Sequence, residues 1–165
     1  MPNTLENLKT AFAGESQANR KYTAYARKAE KDGYPRIAQL FRTAAEAETI
    51  HALAHFENMG SVKSTLENLK DAIAGETYEY TEMYPPMLEK AQEENHRARI
   101  MFGWAAKVEH VHADLYKLAL ESLESGKDLE VELYLCPICG HVEMGKPEAK
   151  CRICGAAADK FTKIE

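Results

Sequence analysis

Apolar residues recur on helical spacing through most of the chain. Leu5, Leu8 and Phe12 stand at i, i+3 and i+7, and Glu15 continues that face one step further. The pattern returns 61 residues later, where Leu66, Leu69 and Ile73 lead to Glu76. The stretches involved, LENLKTAFAGES (5–16) and LENLKDAIAGET (66–77), are near copies. Each predicts a helix whose apolar stripe runs into a carboxylate, and a buried carboxylate is costly unless it is paired or binds metal. Gly14 and Gly75 precede these carboxylates. Each costs about 1 kcal/mol in a helix interior, which predicts close approach of a neighbouring helix.

The breaks between periodic runs give four helices. Asn3 or Thr4 caps the first, which runs to about Lys31. DGYP (32–35) is a turn that places Pro35 in the first turn of the second helix, which ends near Met59. Ser64 with Glu67 forms a capping box for the third, and YPPM (84–87) kinks or interrupts it. The fourth is expected from about Glu94 to Leu123, followed by the linker ESGKD (124–128). Two helical hairpins in tandem close naturally into a four-helix bundle.

Carried further, the 61-residue offset superimposes AEAETIHA (45–52) on AKVEHVHA (106–113), so Glu48 matches Glu109 and His51 matches His112. Each Glu-x-x-His pair occupies one helix face. A Glu from two helices and Glu-x-x-His from two others is the ligand set of bundle-core di-iron carboxylate proteins. Oxygen and imidazole donors without thiolate suit iron or manganese better than a soft metal. Glu46 has no histidine three residues on and is matched by Lys107, while His55, His96 and His110 lack the symmetry, so these read as surface or supporting residues. The repeat breaks at Glu79, on the face of Glu76, because its counterpart is Ala18. Two metals held there are therefore not equivalent. Tyr22 and Tyr84 follow Glu15 and Glu76 by about two turns, where they can either bond ligands or fill core.

All four cysteines lie in the last thirty residues. Cys136, Cys139, Cys151 and Cys154 form two C-x-x-C knuckles eleven residues apart, a tetrahedral thiolate site that accepts zinc or iron. Beside a redox-capable helical domain, iron is the favoured occupant. Other properties narrow the class. A net charge of −5 with interspersed signs argues against nucleic acid as a partner. No apolar run approaches the roughly 20 residues of a membrane helix, and the N-terminus has no signal-peptide pattern. A cytoplasmic protein with neither a nucleic-acid nor a membrane partner is expected.

These features resemble the rubrerythrins over essentially the whole chain: GES, GETYEYTEMYP, both Glu-x-x-His pairs and the C-terminal knuckles. The resemblance implies a mainly α fold, a ferritin-like di-iron four-helix bundle over residues 1–127 and a rubredoxin-like domain with iron on four cysteines over 131–165. It implies a non-haem peroxidase that reduces hydrogen peroxide to water in oxidative-stress defence. Glu48 and Glu109 would bridge two irons, Glu15 and Glu79 would bind one, and Glu76 and His112 the other. His51 would replace Glu79 on reduction, and Tyr22 and Tyr84 occupy the family's site-tyrosine positions. One further iron, with zinc as a possible substitute, would occupy Cys136, Cys139, Cys151 and Cys154. Electrons would come from an external donor, rubredoxin or an NAD(P)H-dependent reductase, to a homodimer or higher homo-oligomer. The short linker lets the Cys module fold back on its own bundle only when nearly taut, which leaves its own bundle and a head-to-tail neighbour both open, and the resemblance points to the neighbour. The rival readings are an iron-oxidising storage protein of ferritin type and a regulatory protein with a structural zinc ribbon.

Overall fold

The computed structural model describes residues 2–164. The chain divides into two compact units, Met1–Lys63 and Ser64–Glu165.

The first unit is a hairpin of α1 (Thr4–Lys31) and α2 (Pro35–Asn58). Asn3 caps α1 through a capping box with Glu6, satisfying two backbone N–H groups at the helix start. Lys28 pairs with Asp32 where the helix ends, and Gly33, at φ +83°, makes the turn that a residue with a Cβ would resist. Pro35 opens α2, as its fixed φ favours. The seam between the helices is built from small residues. Ala26 and Ala29 of α1 and Ala38, Ala45 and Ala52 of α2 are buried. The α2 alanines recur every seven residues, so one narrow line faces its partner. The large apolar residues of the repeat stripe are not the buried ones, since Leu5 is exposed and Leu8 and Phe12 are half-buried. A two-helix hairpin buries one seam, and alanine wins it by allowing the closest approach. Asn19 is the polar exception. Its Nδ2 donates to the Ala45 carbonyl at 2.6 Å and to Thr49 Oγ1 at 2.7 Å, while its Oδ1 accepts from Arg20 Nε at 2.7 Å.

The second unit starts with α3 (Thr65–Tyr78), capped by Ser64 and Glu67 as expected. The helix does not stop at the prolines. It passes into a π-helical segment, Glu79–Met83, and resumes as α4 (Tyr84–Glu93), with Pro85 and Pro86 in its first turn, where no intrahelical N–H is needed. The interruption thus falls one turn earlier than the YPPM motif suggests. Asn95 then takes φ +49° and breaks the chain, so α5 spans Ala98–Glu124 rather than starting near residue 94. α5 packs on α3 and α4 and touches β2. The C-terminal module is a small antiparallel sheet in the order β2–β1–β3, made of Val142–Met144, Leu133–Leu135 and Thr162–Lys163. Its core continues into α5, where Val108 packs with Cys136, Cys139 and Cys151, and Trp104 and Phe161 line the edge.

The Cys module lies against α5 of its own chain, where Val108 and Trp104 give it an apolar seat. One expectation fails here. A Cβ added to Gly14 or Gly75 would meet nothing within 4 Å among the described residues, so neither glycine marks a close helix contact in this chain.

Candidate metal centres

Three clusters of ligand-type side chains form among the described residues: Glu15, Glu48 and His51; Glu76, Glu109 and His112; and the four cysteines. Within each, the ligand atoms lie within 4.8 Å of one another.

In the first hairpin, one turn of α1 supplies Glu15 and the Glu-x-x-His of α2 supplies Glu48 and His51. Asn19, one turn after Glu15, ties α1 to Ala45 and Thr49, which flank Glu48. His51 Nδ1 stands 3.2 Å from Glu48 and 3.9 Å from Glu15. A hydrogen bond to Glu48 raises the Glu15 carboxyl above its ordinary value, with partial burial and the Glu48 charge adding to it. The same bond, with one from His51, lowers Glu48. This bond favours the protonated form of Glu15 and the ionised form of Glu48. The charge of His55 also reaches Glu15.

The second unit repeats the arrangement with α3 and α5. His112 Nδ1 lies 2.8 Å from Glu109 and 3.9 Å from Glu76. Burial and the Glu109 charge push Glu76 up to about 7. Glu79, on the π-helical segment, is raised by burial and then by Glu109. Tyr84 keeps its phenolic proton more tightly than usual because of burial and the charges of Glu79, Glu109 and Glu76. His112 is raised by its own hydrogen bond to Glu109, against the opposing effect of burial.

Of the two tyrosines, the structure therefore brings Tyr84 to the carboxylates. Tyr22 instead packs against Tyr25 and Phe41, with ring centroids 6.3 and 6.2 Å away.

The cysteines are all free thiols. Cys136 Sγ is 3.7 Å from Cys154 Sγ, and Cys139 Sγ is 3.6 Å from Cys151 Sγ. Four sulfurs bound at about 2.3 Å to a tetrahedral ion have edges of about 3.8 Å, so these separations fit a metal and are far too long for disulfides. Each knuckle folds alike. Gly140 N donates to the Cys136 carbonyl at 3.0 Å and Gly155 N to the Cys151 carbonyl at 2.8 Å. Both glycines have positive φ, +86° and +77°. Burial raises the Cys139 thiol, with an opposing hydrogen bond from the His141 N–H. Burial also acts against ionisation of Cys136, but N–H groups of Cys139 and Ile138 outweigh it and lower that thiol.

Residues outside the sequence expectation complete this centre. His141 is fully buried, its Nε2 is 2.9 Å from Glu143 and 3.3 Å from Arg152 Nε, and its Nδ1 has no partner among the described residues. Gly140, between Cys139 and His141, presents its carbonyl 3.1 Å from His112 Nε2. A C-x-x-C-G motif signals the turn, but nothing in the sequence says which helix the turn meets.

Among the described residues no helix is long and apolar enough to cross a membrane. The rubrerythrin family model matches residues 6–120. Nigerythrin of Nitratidesulfovibrio vulgaris is 41% identical over an alignment of 174 residues, covering 96% of this chain and 85% of its own. Rubrerythrin-2 of Clostridium acetobutylicum is 35% identical, with coverage of 96% and 95%. A solved structure of nigerythrin in its fully reduced, all-ferrous state matches with a TM-score of 0.59 and 37% identity, covering 99% of this chain and 88% of that one. The mainly α, ferritin-like fold class with a C-terminal rubredoxin-like module of four cysteines is borne out, as is a candidate di-iron carboxylate and histidine site. The chain belongs to the rubrerythrin family of oxidoreductases.

Proposed function

We propose that this chain is a hydrogen peroxide reductase. It would use two irons on Glu15, Glu48, His51, Glu76, Glu79, Glu109 and His112, and a third on Cys136, Cys139, Cys151 and Cys154. The observation that carries the reading is the coexistence, in one chain, of two repeat-related oxygen and imidazole triads with a thiolate tetrahedron. The first donor type suits iron or manganese and the second suits iron or zinc. The all-ferrous nigerythrin structure supports iron as the metal.

Reduction of hydrogen peroxide to two waters consumes two electrons and two protons. The bound irons would supply the electrons, and the thiolate-bound iron would be refilled one electron at a time by an external donor such as rubredoxin or an NAD(P)H-dependent reductase. The chain's own residues manage the protons. Glu76, as an iron ligand, would give up the proton it holds up to about 7 when the metal binds. Tyr84 retains its hydrogen and can donate a hydrogen bond among the carboxylates without losing charge balance. The division of labour follows the bundle of residues 1–127 and the Cys module of 131–165. A cytoplasmic homodimer or larger homo-oligomer is the assembly we infer.

The experiment is peroxide reduction by iron-replete protein coupled to a rubredoxin reductase chain, with native mass measured alongside. Turnover that depends on both the triads and the cysteines is expected. A large hollow assembly that oxidises iron without catalytic peroxide turnover would overturn the reading in favour of storage.

A further inference from the structure

The chain between α2 and α3 is short for the fold it has to serve. A ferritin-like bundle is two antiparallel hairpins joined by one long crossover, which carries the chain from one end of the bundle to the other. The connections at 32–34 and 94–97 lie inside the hairpins, so the crossover falls to residues 59–64. With a crossover there, α2 and α3 run parallel and their ligands stand at one level. Asn58 ends α2 ten residues after Glu48, about 15 Å beyond that level, and Thr65 opens α3 eleven residues before Glu76, about 16 Å short of it. The crossover must therefore rise about 31 Å and also step sideways by a helix spacing of about 8–10 Å.

The available chain cannot do this. Fully extended, the seven steps from Asn58 to Thr65 reach at most about 25 Å. Part of even that length is folded. Met59 N donates to the His55 carbonyl at 3.1 Å, Gly60 N to Glu57 at 2.8 Å and Ser61 N to Phe56 at 3.3 Å. Gly60 takes φ +66° to make this helix end. Ser64 is already the cap of α3. The three steps from Ser61 to Ser64 span at most about 11 Å.

Both hairpins also expose large apolar residues on the face that carries the triad. Ile37 and Leu40 precede Glu48 and His51 by eleven residues, three turns of α2, and are 48% and 68% exposed. Leu40 has Met101 as its repeat counterpart, eleven residues before His112, and Met101 is 50% exposed. Tyr116, one turn after His112, is exposed as well. In a four-helix bundle such a face is covered by the other hairpin.

We propose that two copies of this chain exchange hairpins, so that α1 and α2 of one copy close the bundle on α3, α4 and α5 of the other. The proposal rests on the di-iron reading of the triads. Each di-iron site then takes Glu15, Glu48 and His51 from one copy and Glu76, Glu79, Glu109 and His112 from the other. Neither copy holds a complete site alone. Exchange keeps every contact of a closed bundle, and a hinge too short for closure removes the competing monomer.

Two measurements on the full chain test this. The first is native mass, with and without about thirty Gly and Ser residues inserted between Val62 and Lys63, a flexible span of about 30 Å. Wild type should be a dimer, and the lengthened chain, refolded at low concentration, should halve in mass. The second pairs Glu15→Ala/Glu48→Ala with Glu76→Ala/Glu109→Ala, refolds them together and isolates mixed dimers through two different tags. Exchange puts all four substitutions in one site and leaves the other intact. Spin-coupled manganese(II) pairs, counted by EPR, should reach half the wild-type number in mixed dimers and be absent from either parent. A monomeric wild type overturns the proposal. So do mixed dimers that hold no manganese pair while wild type does. If dimeric wild type itself binds no manganese pair, the di-iron reading fails and the mass measurement decides exchange alone: a halved mass on lengthening supports it, and an unchanged mass overturns it.

Discussion

The two helical hairpins began as copies and differ where it matters. Both carry a Glu after the apolar stripe and a Glu-x-x-His on the facing helix. Next to these the hairpins diverge. In the first, Asn19 of α1 hydrogen-bonds Thr49 of α2. At the same repeat positions in the second, Tyr80 stacks on His110 with ring centroids 4.6 Å apart. The first has an unbroken α1, whereas the second has a π-helical segment that brings Glu79 and Tyr84 toward the carboxylates. His51 is exposed and bonded on one side only, among the described residues, while His112 is clamped between Glu109 and the Gly140 carbonyl. One hairpin thus offers a loosely held imidazole and the other a fixed one, with an extra carboxylate beside it. Divergence between the copies turned a symmetric ligand set into an unsymmetric one.

The largest expected effect tests what the copies still share. Glu15→Ala and Glu76→Ala should each reduce iron content and lower peroxidase turnover beyond the 10–100-fold typical of outer-shell changes. Metal analysis and steady-state rates would check this. If one of the two is silent, the hairpins do not supply matching halves of one site.

Glu79→Ala sharpens the asymmetry, because Ala18 already stands at the equivalent position. Turnover should fall while binding of ferrous iron is largely kept and the oxidised site changes coordination. Mössbauer spectra of both oxidation states would decide. Unchanged turnover with unchanged oxidised coordination rejects the assigned role.

The pH response should also differ between the hairpins. Glu76 binds a proton up to about pH 7 in the metal-free protein, against an ordinary value of 4.5. The native state then holds more protons than the unfolded state between those values, so metal-free stability should fall as pH rises from about 4.5 to 7. Metal must displace that proton, so affinity at the second triad should rise with pH through 7, with proton release on binding. Calorimetry in buffers of different ionisation enthalpy measures it. Glu76→Gln should abolish the release; persistence would place the proton elsewhere.

The smallest effect concerns the helix starts, where the copies remain alike. Asn3→Ala and Ser64→Ala each remove a capping box and should cost about 1 kcal/mol. For a chain of this size that lowers the melting midpoint by about 2–4 °C.

The ligand-bearing part of the chain was the most legible, for a physical reason. Helical periodicity, caps and metal-ligand spacing are local, and a tandem repeat states each of them twice. Glu15, Glu76 and both Glu-x-x-His pairs could be placed on helix faces without coordinates. The knuckles were equally plain because C-x-x-C-G fixes its own turn. Other features depend on what meets what. The seven-residue alanine seam of α2 was hidden behind more conspicuous leucines. The π-helical segment leaves no clear trace in composition, so the interruption seemed to belong to the prolines. The seat of the Cys module on Val108 and Trp104 follows from surface complementarity, which no local pattern encodes. For the same reason Gly140 could be read as a turn residue but not as the partner of His112.

The central claim is that triads and cysteines form one electron-transferring peroxidase. It is tested most directly by anaerobic titration of fully reduced, metal-counted protein with hydrogen peroxide, followed by visible and Mössbauer spectroscopy. The account predicts iron at both the triads and the cysteines. It predicts one peroxide consumed for every two irons oxidised, and a red Cys centre appearing as its iron gives up an electron. Peroxide consumption no faster than by free ferrous ion, with a Cys centre that stays colourless, would contradict it.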